Sequence, residues 1–212
     1  MGRVWFQQSV SVDGYSAGPE QSLENPLGVG GMRVHGWQFA LAEWSRLTGG
    51  AGEGEVNAST PVFQEALTDY GAVVMGRNMF GGGSGPWDEA WTGWWGDDPP
   101  YHTPVFVLTH HARDPQPMEG GTTFHFVTNG IESAVDQAKQ SAGDRNVLIA
   151  GGANTIQQAM RAGLVEEFEL HVSPVVMGSG ERLLDAIGAP GLEQIRVVPA
   201  PGVTHIKYRV LP

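Results

Sequence analysis

The chain has 212 residues, of which 41% are hydrophobic and 17% charged, a composition typical of one globular domain with an ordinary core. Acidic residues outnumber basic ones by 23 to 12, giving a net charge of −11, which argues against nucleic acid and anionic membranes as partners. The absence of cysteine excludes disulfides, thiolate metal sites and cysteine nucleophiles. No apolar run reaches the roughly 18 residues of a membrane span, and the first residues lack a signal peptide's apolar stretch, so we expect a soluble, cytoplasmic protein.

The order of the predicted elements indicates an α/β fold. Short apolar runs alternate with amphipathic helices, as in a mostly parallel sheet that helices cover on both faces. These runs predict strands over 4–12, 72–75, 105–109, 124–128 and 147–150, and helices over 37–47, 60–70, 131–141 and 154–162. Three more predicted strands, 166–172, 194–198 and 203–210, should pair antiparallel at one edge. We interpret residues 1–212 as a single domain with long loops at 15–60 and 81–103.

One motif joins a strand, two glycines and a helix. It reads VLIAGGANTIQQ and runs from Val147 to Gln158. Glycines at the carboxyl end of a strand let the backbone approach a phosphate, and the helix N-terminus offers free N–H groups and a positive dipole end. This predicts a binding site for the pyrophosphate of a dinucleotide. A tight strand-to-helix turn that binds nothing explains the same residues equally well.

Two other strand ends carry polar residues. The segment VVMGRNM ends a buried strand in Gly76 and then places Arg77, whose guanidinium suits the 2′-phosphate that distinguishes NADPH from NADH. The alternative is an ordinary surface or ion-paired arginine. The segment VFVLTHH ends a strand at Thr109 and His110, which could reach the same cofactor. The histidine pair has no third ligand at a recognisable spacing, so no metal site is expected.

Taken in order, VWFQQSVSVDG, VVMGRNMF, VFVLTHH and the segment from VLIAGGANTIQQ to SGERLL resemble the dihydrofolate-reductase-like superfamily. The last segment is most similar to the reductase domain of the bifunctional riboflavin-pathway deaminase–reductases. The resemblance covers most of the chain and is weakest over 15–60 and 81–103. It implies a dihydrofolate-reductase-like fold and an NADPH site. The cofactor-binding residues that it implies are Val10, Gly76, Arg77, Asn78, Met79, Leu108, Thr109, His110, Gly151, Gly152, Ala153, Asn154, Thr155 and Ile156.

The resemblance also implies an activity. It suggests an NADPH-dependent oxidoreductase that transfers hydride to a small heterocycle, as the 5-amino-6-(5-phosphoribosylamino)uracil reductase of riboflavin biosynthesis does. Val10, Ser11 and Val12 on the first strand should then meet the nicotinamide or the substrate. Three alternatives stay open: a dihydrofolate or pterin reductase, a dehydrogenase or flavin-linked reductase, and a nucleotide-binding protein without reductase turnover.

The proton donor is the weakest part of the resemblance. Dihydrofolate reductases use a buried carboxylate on the helix before the MGR strand, but the matching position here falls near Ser59 or Thr60, neither of which replaces it. Glu65 and Asp69 lie further along that helix, where we expect them to face solvent. Asp13 is the remaining catalytic candidate, and a simple turn-forming role is its alternative.

The segment WDEAWTGWWGDDPPY carries Trp87, Trp91, Trp94 and Trp95 on a Gly/Pro-rich loop. These indoles could form a lid over a flat substrate, with Trp87 and Trp91 as substrate-binding residues, or bury at a dimer interface, or pack on the protein's own core. The family resemblance and this loop together favour a homodimer that pairs through sheet edges and C-terminal segments.

Overall fold

The computed structural model describes residues 2–83 and 85–211. Eleven strands are found in the part of the chain that the structure describes: β1 (Val4–Ser11), β2 (Tyr15–Ala17), β3 (Ala72–Gly76), β4 (Pro104–Leu108), β5 (Gln116–Pro117), β6 (Thr123–Val127), β7 (Val147–Gly151), β8 (Glu167–Ser173), β9 (Glu181–Arg182), β10 (Leu192–Ala200) and β11 (Val203–Val210). The α-helices are α1 (Gly36–Phe39), α2 (Ala42–Leu47), α3 (Ser59–Thr68), α4 (Arg77–Phe80), α5 (Ile131–Ala142) and α6 (Ala153–Arg161). Among these residues, no helix combines the length and the apolar character needed to cross a membrane.

The backbone divides into two compact units. The first unit comprises Met1–Phe6 and Asp69–Glu166, and the second comprises Gln7–Thr68 and Glu167–Pro212. Strand β1 contributes its first residues to one unit and its last residues to the other. The single-domain interpretation stays a prediction.

The first unit is a parallel sheet with helices packed on it. Its strand order is β1-β7-β3-β4-β6-β5, and every pairing is parallel except that of β5 with β6. Strands β3, β4 and β7 are apolar along their whole length because both faces of the sheet are covered there, as the sequence predicts. Phe80 and Phe124 are fully buried in its core and meet edge-to-face at 5.0 Å. Burial of one such ring stabilises the fold by roughly 1.5–3 kcal/mol.

The second unit is antiparallel where its strand pairings are defined. Strand β11 pairs with β8 on one side and with β10 on the other, while β2 and β9 form a separate two-stranded sheet. Its apolar core contains Trp37, Leu41, Phe63 and Val203. The α/β fold class, with a mostly parallel sheet and antiparallel C-terminal strands, is therefore confirmed.

The predicted helix over 37–47 is wrong in one respect, because the chain breaks it at Leu41. Leu41 is extended, with φ −77° and ψ 142°, and forms a parallel bridge with Glu55. The Ala42 N–H donates to the Glu55 carbonyl, and the Glu55 N–H donates to the carbonyl of Ala40. Tertiary pairing thus replaces helical hydrogen bonds at this point, and the Leu41 side chain becomes fully buried.

The start of α3 also differs from the prediction. The sequence predicts this helix from Thr60 onward, but it begins at Ser59, whose N–H donates to Oδ1 of Asn57 at 2.8 Å. Oγ1 of Thr60 instead accepts from the Asn57 N–H at 3.1 Å. These two hydrogen bonds resemble a capping box, because the Asn57 side chain accepts from the helix backbone and the Thr60 side chain accepts from the Asn57 backbone. The three short strands β2, β5 and β9 have no counterpart in the sequence prediction.

Candidate functional site

The two glycine turns of the first unit lie at one edge of its sheet. Met75, near the end of β3, is opposite Gly151, the last residue of the parallel strand β7. Gly76 is opposite Leu108, the last residue of β4. Because parallel strands end on the same side of a sheet, the three predicted cofactor segments share that edge. The extra residue Ala150 forms a bulge that brings Gly151 into register with Met75.

The two turns approach each other closely. A methyl group built on Gly76 would overlap with Oγ1 of Thr155 and lie 3.7 Å from the Gly151 carbonyl oxygen and from the Gly152 nitrogen. Thr155 is buried and belongs to the first turn of α6. Glycine is required at position 76 because the loop after β3 packs directly against the loop after β7.

The turn after β7 leaves room in front of α6. Gly151 has a φ of 127°, which favours glycine, and its peptide bond to Gly152 is cis. Gly152 is the N-cap of α6, and its carbonyl accepts from the N–H groups of Thr155 and Ile156. Apart from Gly152 itself and its two chain neighbours, no described residue has an atom within 4 Å of the position that a Gly152 Cβ would take. Asn154 is exposed at this helix start, and its Oδ1 accepts from Gln158 Nε2.

Arg77 has two unsatisfied N–H groups. Its guanidinium lies over the indole of Trp87, with Cζ 3.2 Å from the ring centroid. Nη2 reaches the Gly82 carbonyl only at 3.5 Å, while Nε and Nη1 are buried and have no acceptor among residues 2–83 and 85–211. Burial, together with the nearby Arg113, lowers the pKa of Arg77. Buried guanidinium N–H groups without acceptors are costly, so this side chain is well suited to an anion.

The other predicted residues of the first unit take different environments. Thr109 is buried, its N–H donates to the Val127 carbonyl, and its Oγ1 accepts from the N–H of His111. His110 and Asn78 are exposed at the same edge. Met79 packs against the core of this unit. Asn78 and His110 are therefore exposed where a ligand at this edge could contact them, whereas Thr109 stabilises the turn.

Trp87 and Trp91 pack on the core of the first unit. Trp87 meets the Phe126 ring at 4.8 Å, and its Nε1 donates to the His111 carbonyl at 2.8 Å. Trp91 packs against the same core, and its Nε1 donates to the Phe80 carbonyl. Of the three interpretations of the Trp-rich loop, packing on the protein's own core describes these two indoles, since both rings have apolar neighbours and both indole N–H groups are satisfied. Their predicted substrate role stays a prediction.

Val10, Val12 and Asp13 belong to the second unit. Val10 is buried and lines a cavity of about 110 Å³ with Gly14, Leu170, Arg182, Leu183, Leu184 and Asp185. Val12 is 63% exposed, and its N–H donates to the Val175 carbonyl. The predicted contacts of Val10 and Val12 with the cofactor or the substrate stay predictions.

Asp13 is held by backbone donors. One carboxylate oxygen accepts from the Gly178 N–H at 2.7 Å, and the Met177 N–H donates at 3.0 Å. Hydrogen bonds from Ser11, Gly178 and Met177 lower the pKa of Asp13 to about 2. A carboxylate with this pKa stays ionised at neutral pH, so it can orient a ligand or accept a proton but is a poor proton donor.

Glu65 on α3 and Asp69 just after it are only partly exposed and have polar partners, which corrects the prediction that both face solvent. Glu65 accepts from Arg196 and from Lys207, whose Nζ lies 2.8 Å from Oε1. Oδ1 of Asp69 accepts from Asn146 Nδ2 at 2.8 Å. Both carboxylates were placed at the surface because the helix pattern alone did not show these partners. Ser59, near the position of the missing carboxylate, is buried with its hydroxyl 2.8 Å from His205 Nε2.

Arg113 lies near Arg77, and no role for it was predicted from the sequence. Its Nη1 donates to the Trp91 carbonyl at 2.9 Å, its Nη2 donates to the Glu89 carbonyl at 3.2 Å, and its Cζ lies 5.2 Å from the Trp87 centroid. It also lines a cavity of about 580 Å³ with Glu89, Ala112, Asp114, Pro115, Gln116 and Pro117. No sequence pattern marks it, because its acceptors are loop carbonyls whose positions only the fold defines.

Comparison with known proteins assigns the family. The model of the RibD C-terminal domain matches residues 3–203. The chain belongs to the RibD C-terminal domain family. The match covers nearly the whole chain. This reductase-like family agrees with the resemblance that the strand-end motifs indicate.

Individual relatives match this RibD-family chain over a short segment or at low sequence identity. The uncharacterized protein YyaP of Bacillus subtilis (strain 168) is 36% identical over 79 residues, which are 37% of this chain and 38% of that protein. The matched segment thus spans well under half of that curated relative. A candidate riboflavin biosynthesis protein from Shewanella sp. PV-4 has a TM-score of 0.60 at 18% identity and covers 99% of both chains. Dihydrofolate reductase from Enterococcus faecalis, in complex with NADP(H), has a TM-score of 0.57 at 13% identity and covers 100% of this chain and 98% of its own. These structures confirm the dihydrofolate-reductase-like fold.

Proposed function

We propose that this RibD-family chain is a reductase that binds NADPH at the carboxyl edge of the first unit's sheet. One observation carries the proposal: Met75 is in register with Gly151, so the turns after β3 and β7 meet at one edge and pack closely together. The fold relative from Enterococcus faecalis that was solved with NADP(H) supports the choice of cofactor.

The residues present fit a dinucleotide. The open space at Gly152 lies before the first turn of α6, where backbone N–H groups and the positive helix end favour a pyrophosphate. The unsatisfied Nε and Nη1 of Arg77 suit a phosphate monoester. Exposed Asn78 and His110 at the same edge offer further polar contacts. When bound, the cofactor would supply the hydride, and the chain's task would be to bind and orient it.

The substrate class in this proposal is a small heterocycle, such as the aminouracil intermediate that riboflavin-type reductases reduce. Asp13, ionised at neutral pH, would orient a polar group of the substrate or accept a proton. The absence of a carboxylate at Ser59 and Thr60 favours this class over dihydrofolate. A cytoplasmic location remains part of the proposal.

A nucleotide-binding protein without turnover is the second candidate. It is favoured by the hydrogen bonds that the predicted catalytic carboxylate of Asp13 accepts from the N–H groups of Met177 and Gly178, which stabilise its ionised form and make it a poor proton donor. Both candidates require dinucleotide binding, and only the reductase requires consumption of NADPH.

The test has two stages. Thermal unfolding with NADPH or NADH should give a larger rise in melting temperature with NADPH, since a ligand at 100 times its Kd stabilises the native state by about 2.7 kcal/mol. The absence of a shift with either dinucleotide would reject both candidates. Oxidation of NADPH, followed at 340 nm with a panel of aminopyrimidines and pterins, then separates them. Binding without turnover on that panel would favour the binding protein.

We also propose that the chain forms a homodimer through the β10 edge. Strand β10 lies at the end of the sheet order, and Leu192 and Val197 on it are 43% and 46% exposed. Exposed apolar side chains on an edge strand favour pairing with a second strand. Sedimentation equilibrium should give twice the chain mass, and Val197→Lys should lower it to one chain. A wild-type monomer at micromolar concentration would reject the dimer.

A further inference from the structure

Two guanidinium groups lie close to the indole of Trp87, and the protein holds them in different ways. Cζ of Arg77 lies 3.2 Å from the ring centroid and Cζ of Arg113 lies 5.2 Å from it. Arg113 also lies 5.4 Å from the Phe126 centroid and donates to the carbonyls of Trp91 and Glu89. Arg113 is thus committed to the protein, and its hydrogen bonds explain its position without a ligand.

Arg77 is held differently, by stacking more than by hydrogen bonds. Within the part of the chain that the structure describes, its side chain reaches one acceptor, the Gly82 carbonyl, at 3.5 Å, which is at the limit for a hydrogen bond. Its Nε and Nη1 have no acceptor among the described residues. A desolvated guanidinium stacked on an indole is stabilised by about 2 kcal/mol, so Trp87 can hold the plane of Arg77 where hydrogen bonds do not.

The unsatisfied N–H groups of Arg77 can bind an anion. They belong to Nε and Nη1, whose N–H bonds lie on different edges of the planar guanidinium, and each is a charged donor that suits a phosphate oxygen. Gly82, whose carbonyl Nη2 reaches, has a positive φ, as do its neighbours Gly81 and Gly83. The repulsion between Arg77 and Arg113, which share one ring, would fall once a negative charge is bound.

We propose that Trp87 determines the preference for a phosphorylated dinucleotide, by holding the guanidinium of Arg77 in the orientation in which its unsatisfied N–H groups donate to a phosphate monoester. Trp87 is on this basis a positioning residue rather than part of a substrate lid. The inference rests on the proposed dinucleotide site and adds the residue that sets its specificity.

Loss of the indole should act on selectivity more than on the fold. Without it, Arg77 regains rotamer freedom, and each phosphate contact must restrict that freedom again. We expect Trp87→Leu to reduce the ratio of the NADH Kd to the NADPH Kd about tenfold, while Trp87→Phe, which keeps an aromatic face, retains most of the ratio. Adenosine 2′-monophosphate should lose affinity in parallel with NADPH, whereas AMP should not.

Trp95→Leu is the matched control. Trp95 lies on the same loop and packs on the same core, 5.2 Å from Tyr101 and 6.0 Å from Phe124, but it is not among the residues stacked on Arg77. It should lower the denaturation midpoint as Trp87→Leu does and leave the Kd ratio unchanged. Midpoints in urea, measured for every variant, separate loss of folded protein from loss of selectivity.

Isothermal titration of wild type and variants with NADPH, NADH, adenosine 2′-monophosphate and AMP tests the proposal. A Kd ratio that falls in Trp87→Leu and survives in Trp87→Phe and Trp95→Leu supports it. A ratio unchanged in Trp87→Leu overturns it, as does equal loss of both dinucleotides, which would place Arg77 on the shared pyrophosphate. Equal wild-type affinity for the two dinucleotides, or binding of neither, also overturns it. Selective binding without turnover would reject the reductase and still support the role of Trp87.

Discussion

Nδ1 of His205 lies 2.8 Å from Nδ1 of His171, and both rings are buried in the second unit. Nε2 of His171 is 2.9 Å from Oε1 of Gln7, an acceptor, so this nitrogen carries the proton of His171. Nδ1 of His171 is then the acceptor for the N–H of His205, and Nε2 of His205 accepts from the hydroxyl of Ser59 at 2.8 Å. Each ring thus has one donor and one acceptor, which describes two neutral histidines.

We expect the free energy of unfolding to fall as the pH drops below 6.5. Burial, helped by the neighbouring His205, lowers the pKa of His171 well below 6.5, and burial lowers the pKa of His205 to about 4. Above pH 6.5 neither state binds protons at these rings. Between pH 6.5 and 4 the unfolded chain binds protons that the folded chain does not, so stability is lost by up to about 1.4 kcal/mol per pH unit for each ring.

Urea unfolding between pH 7.5 and 4.5 measures this slope. His171→Gln removes one titrating ring and should reduce the slope, whatever it does to the absolute stability. Gln140→Asn, an exposed change without a titrating group, is the control and should leave the slope unchanged. A slope that is the same in wild type and His171→Gln would show that His171 does not stay neutral in the folded chain.

The ion network around Glu65 should contribute measurably to stability. Lys207 and Glu169 are only 9% and 3% exposed, and Arg196 bridges Glu65 to Glu169 with its Nη2 2.7 Å from the Glu169 carboxylate. Water can replace a removed partner only poorly at such burial, so Glu65→Ala should cost about 2–3 kcal/mol. Glu193→Ala removes an exposed pair with Arg209 and should cost under about 0.5 kcal/mol. Equal losses in chemical denaturation would contradict the difference in burial.

Gly76→Ala should destabilise the first unit by about 1–3 kcal/mol, because its methyl group overlaps with Oγ1 of Thr155. Thr155 cannot turn away freely, since a buried β-branched side chain has few allowed rotamers. Thr155→Ala in the same chain removes the overlapping atom and should recover part of the loss. Denaturation of the two single variants and the double variant gives the coupling energy. Strict additivity would show that the two turns do not touch.

Gly152→Ala should separate binding from folding. Gly152 has an extended backbone that alanine adopts, and no atom lies near its Cβ position, so the melting temperature should hardly change. The methyl group would project into the space proposed for the pyrophosphate, and the affinities for NADPH and NADH should both fall at least tenfold. Gly36→Ala, also in open space with a helical φ of −53°, should alter neither quantity. Unchanged dinucleotide affinity in Gly152→Ala would move the cofactor away from this turn.

Hydrophobic patterning predicted most of the fold. The apolar runs at β3, β4 and β7 identify buried parallel strands because such strands have no polar face. The break at Leu41 and the short strands β2, β5 and β9 could not be predicted, since each depends on pairing with a segment distant in sequence or too short to show a period.

The candidate site was predictable where the backbone itself defines it. Gly76 and Gly151 carry a signal in the sequence because close packing and a positive φ require glycine there. The roles of side chains were less accessible. Glu65 was expected at the surface because its partners Lys207 and Arg196 come from strands more than a hundred residues away. The stacking of Arg77 on Trp87 likewise depends on a loop whose path no periodicity describes.

Strand β1 passes from one unit to the other between Phe6 and Gln7, and this has a consequence for protein engineering. Neither unit is one uninterrupted stretch of the gene, since each combines two separate segments. An excised fragment 69–166 would lack Val4, Trp5 and Phe6, which pair with Val147, Leu148 and Ile149. Strand β7 would then be a bare apolar edge, and such an edge recruits other chains into aggregates. A shortened variant in which a linker joins residues 2–6 directly to Asp69 is the form in which this half should remain dispersed.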